Sequence, residues 1–187
     1  MDEYQYAYFQ TLRLEARSMV VNAFNRRIKT NDHRDTWKGI TLASIDNDAI
    51  DYARIKWPKF YDGDTRQPFP YSWEKLFLSY SRVPAHFNIA VWQTLPDQRI
   101  LRGLALARPS TSKRHISVNW LERGYEEPYF RGGVLLPILA STEQYAKLLG
   151  CERVLIKNAL DPEEFSPYGY APSDDTPKGA DYLAKEL

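Results

Sequence analysis

Along the first part of the chain, apolar residues return at three- and four-residue steps: Tyr6, Phe9, Leu12, Leu14, Ala16, Met19, Val20, Ala23 and Phe24, with charges between them. That spacing predicts a helix over roughly 2–29. It stops near "KTNDH", where Asn31 and Asp32 favour a turn. A second helix is expected around 47–56, capped by Ser44 or Asp46 and ended by Pro58. "YDGDTRQPFP" reads as a loop. "YSWEKLFLSYSR" reads as a short helix capped by Ser72, and Lys75 three residues later leaves it without a capping box.

After residue 85 the period changes to two. "FNIAVWQ" (87–93) and "RILRGLALAR" (99–108) read as strands joined by the turn "TLPDQ". "HISVNWLER" (115–123) alternates Ile116, Val118 and Trp120 with mostly polar neighbours, as a half-buried strand does. An antiparallel meander of three strands is the expected centre of the molecule. Helical spacing then returns with Val134, Leu135, Ile138, Leu139, Tyr145, Ala146, Leu148 and Leu149. Pro137 is tolerated only near the first turn, so this helix must begin close to Gly133, and Gly150 is its stop. "RVLIK" (153–157) reads as a strand buried on both faces, parallel to its predecessor if the helix is a crossover. The final 27 residues, with Pro162, Pro167, Pro172 and Pro177, are expected to be mostly irregular. The fold class is therefore α/β, with a mixed sheet and an added helical segment over 1–84 packed on a core over 85–187.

Composition narrows the function classes. The 187 residues are enough for one domain with a proper core, and 43% hydrophobic with 26% charged is ordinary for a globular protein. A net charge of +1 supplies no electrostatic reason to expect a nucleic acid or a membrane surface. No apolar run approaches membrane-spanning length, and "MDEYQYAYFQ" lacks the regions of a signal peptide. The single cysteine, Cys151, excludes an internal disulfide framework; a cytoplasmic location is expected. The three histidines and Cys151 show no metal-ligand spacing, so no metal is expected, and neither a G-x-S-x-G elbow nor a Walker A loop is present.

Candidate chemistry concentrates in "EEPYFRGGVLLPILASTEQYAKLLGCERVLIKNAL" (126–160). Arg131, Gly132 and Gly133 stand at the mouth of a helix, whose free N–H groups and dipole suit an anion. Arg131 adds a charge suited to diphosphate. The same glycines also make a tight strand-to-helix turn, and the three residues alone leave both readings open. Taken with the order of elements, however, "PYFRGG" (128–133), "EQYAKLLGCERVLIKN" (143–158) and "YGY" (168–170) resemble the core of the GNAT acyltransferase superfamily over residues 85–170. The glycine loop is one residue shorter than the family's, and a further glycine position falls on Leu135 or Leu136.

The resemblance implies acyl-coenzyme A, acetyl-coenzyme A or another, as co-substrate and an amine, small molecule or protein, as acceptor. The pantetheine arm would run along Val118, Asn119, Trp120 and Leu121, where that strand splays from 153–158. The diphosphate would sit on the amides of Arg131, Gly132, Gly133 and Val134, and Asn158 would hold the cofactor or the loop beyond. Glu122, ending the strand, is the candidate general base. The family's usual acid, a tyrosine, falls on Phe165, so Tyr168 is the candidate in its place. Phe165 and the short loop also leave room for a catalytically inactive GNAT-like protein acting as a binding module. The N-terminal helix is free to cover the acceptor side or to form a homodimer.

Overall fold

In the computed structural model, residues 3–28, 37–61, 71–126, 130 and 133–187 are described. The elements run α1 (Glu3–Ile28), β1 (Ile40–Ala43), α2 (Asn47–Lys56), α3 (Trp73–Ser81), β2 (Phe87–Leu95), β3 (Gln98–Pro109), β4 (His115–Arg123), α4 (Leu135–Leu149), β5 (Arg153–Lys157), β6 (Ala171–Pro172) and β7 (Tyr182–Glu186). The strands form one sheet in the order β1-β2-β3-β4-β5-β7-β6. Every neighbouring pair is antiparallel except β4–β5, which the crossover helix α4 makes parallel. The α/β mixed sheet with a meander, a crossover helix and a parallel pair is thus the observed fold.

Each face of the sheet carries its own core. On one, α1 and α4 cover Ile89, Ala105, Ile116, Val118 and Val154, with Phe87 stacked on Tyr145 at 4.9 Å. On the other, α2, the 3-10 turn Trp57–Phe60 and α3 cover Ala90, Trp92, Leu104 and Leu106. The central strands therefore read as continuous apolar runs, the pattern of strands buried on both sides.

The helix caps agree with the chain's local chemistry. The Asp46 side chain accepts from the Ala49 amide and opens α2, and Ser72 does the same for α3 through Lys75. Gly150 closes α4 with φ +75°, and Pro137 is that helix's third residue. The "YDGDTRQPFP" loop lies outside the described residues beyond Tyr61, and the "KTNDH" turn lies outside them altogether.

Two elements differ from expectation. The four-residue strand β1 lies within the segment read as helical and pairs with β2 as an edge. Four residues carry too little alternation to be read. The C-terminal segment is also more regular than expected. Its strand β7 inserts beside β5, from Arg153↔Glu186 to Lys157↔Tyr182. The buried β5 needs a hydrogen-bonding partner on the side away from β4, and "YLAKE" supplies one despite its polar content.

At the start of β2 a chain of bonds fixes one histidine tautomer. Asn88 Oδ1 accepts from the Ile45 amide at 2.9 Å, which turns its Nδ2 toward His86 Nε2 at 3.0 Å. Nε2 is therefore an acceptor, and the proton sits on Nδ1, which donates to the Val83 carbonyl at 2.6 Å. Burial, aided by the Arg13 charge, lowers this imidazole from 6.5 to about 4, while the Val83 bond opposes the shift. The unfolded chain takes up the proton as pH falls through 6.5, and the folded chain resists until about 4. His86 thus contributes full stability above pH 6.5 and loses it on the way down. The linked loss is on the order of 3 kcal/mol. Urea unfolding at pH 7 and pH 4.5 should show that loss in the wild type and a smaller one in His86→Gln. Equal losses in both would assign acid sensitivity elsewhere.

Candidate active site

The site begins where two parallel strands part. β4 pairs with β5 only from His115↔Arg153 to Val118↔Ile156. At the next residue the β3–β4 register slips: Ala107 faces Val118 and Leu106 faces Trp120, so Asn119 is an inserted bulge residue. A bulge bends its strand and sharpens the local twist. Beyond it, β4 keeps β3 as neighbour, and its β5-facing edge carries backbone N–H and C=O groups without a strand partner among the described residues. Val118 is buried on the α4 side, and Leu121 packs against that same core. Trp120 turns to the opposite face, where Tyr71 meets it edge-on at 5.0 Å. The Asn119 side chain donates to the Tyr80 hydroxyl at 2.7 Å and so pins the bulge to α3.

The mouth of α4 lies beside this parting. Gly133 has φ +66°, a conformation that glycine adopts without strain. A Cβ built on it would stand 3.9 Å from the Tyr168 hydroxyl. Val134 is the N-cap of the helix and offers no side-chain cap to the first-turn amides. Arg131 and Gly132 lie outside the described residues. Gly103 explains how the helix comes so near β4: a Cβ there would stand 2.3 Å from Val134 Cγ2 and 3.3 Å from the Glu122 carbonyl oxygen. A small cavity of about 40 Å³ lies against Gly133 and Val134, lined also by Arg102, Arg123 and Phe130. A larger open recess of about 510 Å³ lies among the C-terminal loops and touches neither Glu122 nor Gly133.

Glu122, the next-to-last residue of β4, lies on the α2–α3 face. Its Oε1 accepts from the Tyr61 hydroxyl and its Oε2 from Trp73 Nε1, both at 2.5 Å. Burial pushes the carboxyl above the ordinary carboxylate range, and the two donors oppose that by favouring the ionised form. Each carboxylate oxygen has a second lone pair, so the group is held in place and still able to accept a proton. Close by, the Tyr52 hydroxyl donates to Glu126 Oε2 at 2.5 Å. The buried Arg102 donates to Gln93 Oε1 at 2.9 Å and to the Glu126 carbonyl at 2.5 Å.

The remaining expected residues fall as follows. Tyr168, half-buried, ends the 3-10 turn Pro162–Tyr168 ahead of Gly169, and its hydroxyl is directed at the Gly133 turn. "YGY" thus runs from that turn into β6. Phe165 is buried against Tyr170. Asn158 directly follows β5 with φ +49°; its Oδ1 accepts from the Asp181 amide at 3.1 Å, and its own amide donates to the Asp181 carbonyl at 2.8 Å. The side-chain oxygen of Asn158 is thus engaged in tying β5 to the turn before β7. Sequence reasoning missed Tyr61, Trp73 and Arg102. Only Arg102 left a trace, as a charge interrupting the apolar run "ILRGLALA".

No protein-family model matches the chain, and no curated protein matches it in sequence. Solved structures do match. The GNAT domain of S. lividans PAT superposes with TM-score 0.52 at 15% identity, over 78% of this chain and 89% of that one. The fold is that of a GNAT domain. Nourseothricin acetyltransferase superposes with TM-score 0.52 at 14% identity, over 80% of this chain and 99% of that one. N-acetylglutamate synthase from Neisseria gonorrhoeae, complexed with coenzyme A and N-acetyl-glutamate, gives TM-score 0.54 at 15% identity over 79% of this chain and 35% of that one. In fold the present chain is GNAT-like, and the solved structures that it resembles include acetyltransferases.

Proposed function

We propose that the protein is an acyl-coenzyme A-dependent N-acyltransferase that moves an acetyl group to an amine. The observation that carries this reading is the parting of β4 from β5 beside a helix mouth whose N-cap residue, Val134, makes no side-chain cap. Val118 is the last residue paired with β5, and from there the open edge of Asn119, Trp120 and Leu121 offers donors and acceptors to the amide-bearing pantetheine arm. Arg131, Gly132, Gly133 and Val134 would present amides and one cation to the diphosphate. Asn158 serves by holding the loop beyond β5. Residues 1–84 and 85–187 work as one compact domain, the first supplying Tyr61 and Trp73 to the acceptor side.

In the transfer step a C–N bond forms at the thioester carbonyl and the C–S bond breaks. Glu122 takes the proton lost by the attacking amine, and the Tyr168 hydroxyl supplies one to the departing sulfur. The enzyme acts in the cytoplasm. Phe165, core-packed where the family carries its acid, favours the second reading, an inactive GNAT-like binding module.

A thermal-shift titration tests the proposal. Acetyl-coenzyme A at 100 times its dissociation constant should stabilise the protein by about 2.7 kcal/mol. Stabilisation with turnover on an amine supports the enzyme, and stabilisation without turnover on any amine supports the binding module. No shift with any acyl-coenzyme A overturns the co-substrate assignment.

A further inference from the structure

The turn that carries Tyr168 has little of its own to hold it. In the 3-10 turn Pro162–Tyr168 and just after it, Ser166, Pro167 and Gly169 are exposed, while Phe165 and Tyr170 are its anchors in the core. The chain passes through Gly169 at φ +86°. A single polar cluster meets this turn from the rest of the fold. Glu143 of α4 accepts from Lys185 Nζ at both carboxylate oxygens, at 2.9 Å each, and its Oε1 also accepts from the Tyr170 hydroxyl at 3.1 Å. The Lys185 ammonium stands 5.6 Å from the centre of the Tyr170 ring. A Cβ built on Gly169 would meet the lysine stem at 3.6 Å.

The cluster joins three parts of the chain. Glu143 belongs to the helix whose mouth Gly133 and Val134 form, and lies about 12 Å along it from Leu135 at 1.5 Å per residue. Lys185 belongs to β7 and is paired in register with Val154 of β5. Tyr170 follows the turn directly. The Glu143 side chain is only 16% exposed, and three donors converge on its oxygens, so it keeps one geometry. Burial first, and then the Glu143 charge, raise the Tyr170 hydroxyl above its ordinary range, so it stays a donor. With Gly169 against Lys185 and Tyr170 tied to Glu143, the residue just before them has its backbone fixed relative to α4. That residue is Tyr168, whose hydroxyl lies 3.9 Å from a Cβ built on Gly133. One helix thus sets both the mouth and the tyrosine over it.

We propose that Glu143 is a positioning residue: through Lys185 and Tyr170 it fixes the Tyr168 hydroxyl over the mouth of α4. Its consequence for turnover rests on the acyl-transfer reading above, in which that hydroxyl protonates the departing sulfur. The placement itself does not.

The test has two arms, one for placement and one for chemistry. In the first, the full chain carries 3-fluorotyrosine at position 168, and its ¹⁹F resonance reports the surroundings of that ring. Glu143→Gln should shift or broaden the resonance. Lys185→Met, which keeps the stem against Gly169, should do the same and serves where the first variant does not fold. The second arm follows thiol release from acetyl-coenzyme A with an active amine. There Glu143→Gln should lower kcat about tenfold, within the cost of misplacing a reacting group, and leave KM for the amine unchanged. Added to Tyr168→Phe it should cause no further loss, because a residue acting through a hydroxyl has nothing to act on once that hydroxyl is gone. A ¹⁹F resonance identical in the wild type and both variants would overturn the proposal. Losses that multiply in the double variant would overturn it equally. A shifted resonance in a protein without turnover on any amine supports the placement and overturns the transfer reading instead.

Discussion

Glu122→Gln is expected to cut turnover about 10²–10⁴-fold while leaving coenzyme A affinity unchanged. Gln keeps the size of the side chain and removes the basic oxygen, so the loss reports proton transfer rather than packing. The geometry also predicts how Glu122 is tuned. Tyr61 and Trp73 donate to its two oxygens and favour the ionised form against the burial that pushes the carboxyl up. Removing one donor in Tyr61→Phe should therefore raise the carboxyl further and move the acid limb of the rate profile to higher pH. Thiol release from acetyl-coenzyme A, followed across pH in the presence of an active amine, reads both effects. Tyr168→Phe should slow turnover less, because water can also protonate a thiolate. If Glu122→Gln and Tyr168→Phe both turn over at the wild-type rate, catalysis rests on positioning alone.

Gly133→Val should weaken coenzyme A binding at least tenfold, equivalent to about 1.4 kcal/mol. Two effects combine at this position. A φ of +66° strains any side chain, and the new Cβ would point at the Tyr168 hydroxyl across the turn that is to face the diphosphate. Gly150 separates these causes. It shares a φ of +75° but has nothing within 4 Å of a built Cβ, at the far end of the same helix. Gly150→Ala should thus cost about 1 kcal/mol in stability with unchanged affinity. Calorimetric titration with acetyl-coenzyme A, alongside unfolding of both variants, makes the comparison. Equal affinity in Gly133→Val and wild type would remove this turn from the site.

The elements that position the site were largely legible. The switch from period two to period 3.6 near residue 133, the restriction on Pro137 and the Gly150 stop located α4, and with it the parallel pair. Glu122 was legible as the polar end of an alternating strand. Its partners were not, because Tyr61 and Trp73 lie 61 and 49 residues away and nothing local marks an aromatic residue as a donor to a distant carboxylate. Asn158 shows the converse. Its place at a strand end suggested a ligand contact, and its left-handed backbone and bonds to Asp181 give it a turn to hold.

By itself the sequence determined which residues face inward, since side-chain periodicity is a property of neighbours two to four positions apart. It also determined where helices begin and stop, since caps and glycines act within one turn. Only the tertiary structure decided where β4 leaves β5, because the bulge at Asn119 is a mismatch between two strands and neither strand contains it alone. The same holds for Gly103, whose missing side chain matters only because Val134 packs onto it, and for β7, recruited from a polar tail because β5 had an unpaired edge. Backbone hydrogen bonding across a sheet must be satisfied pair by pair, and that requirement chooses partners that local preference leaves undetermined.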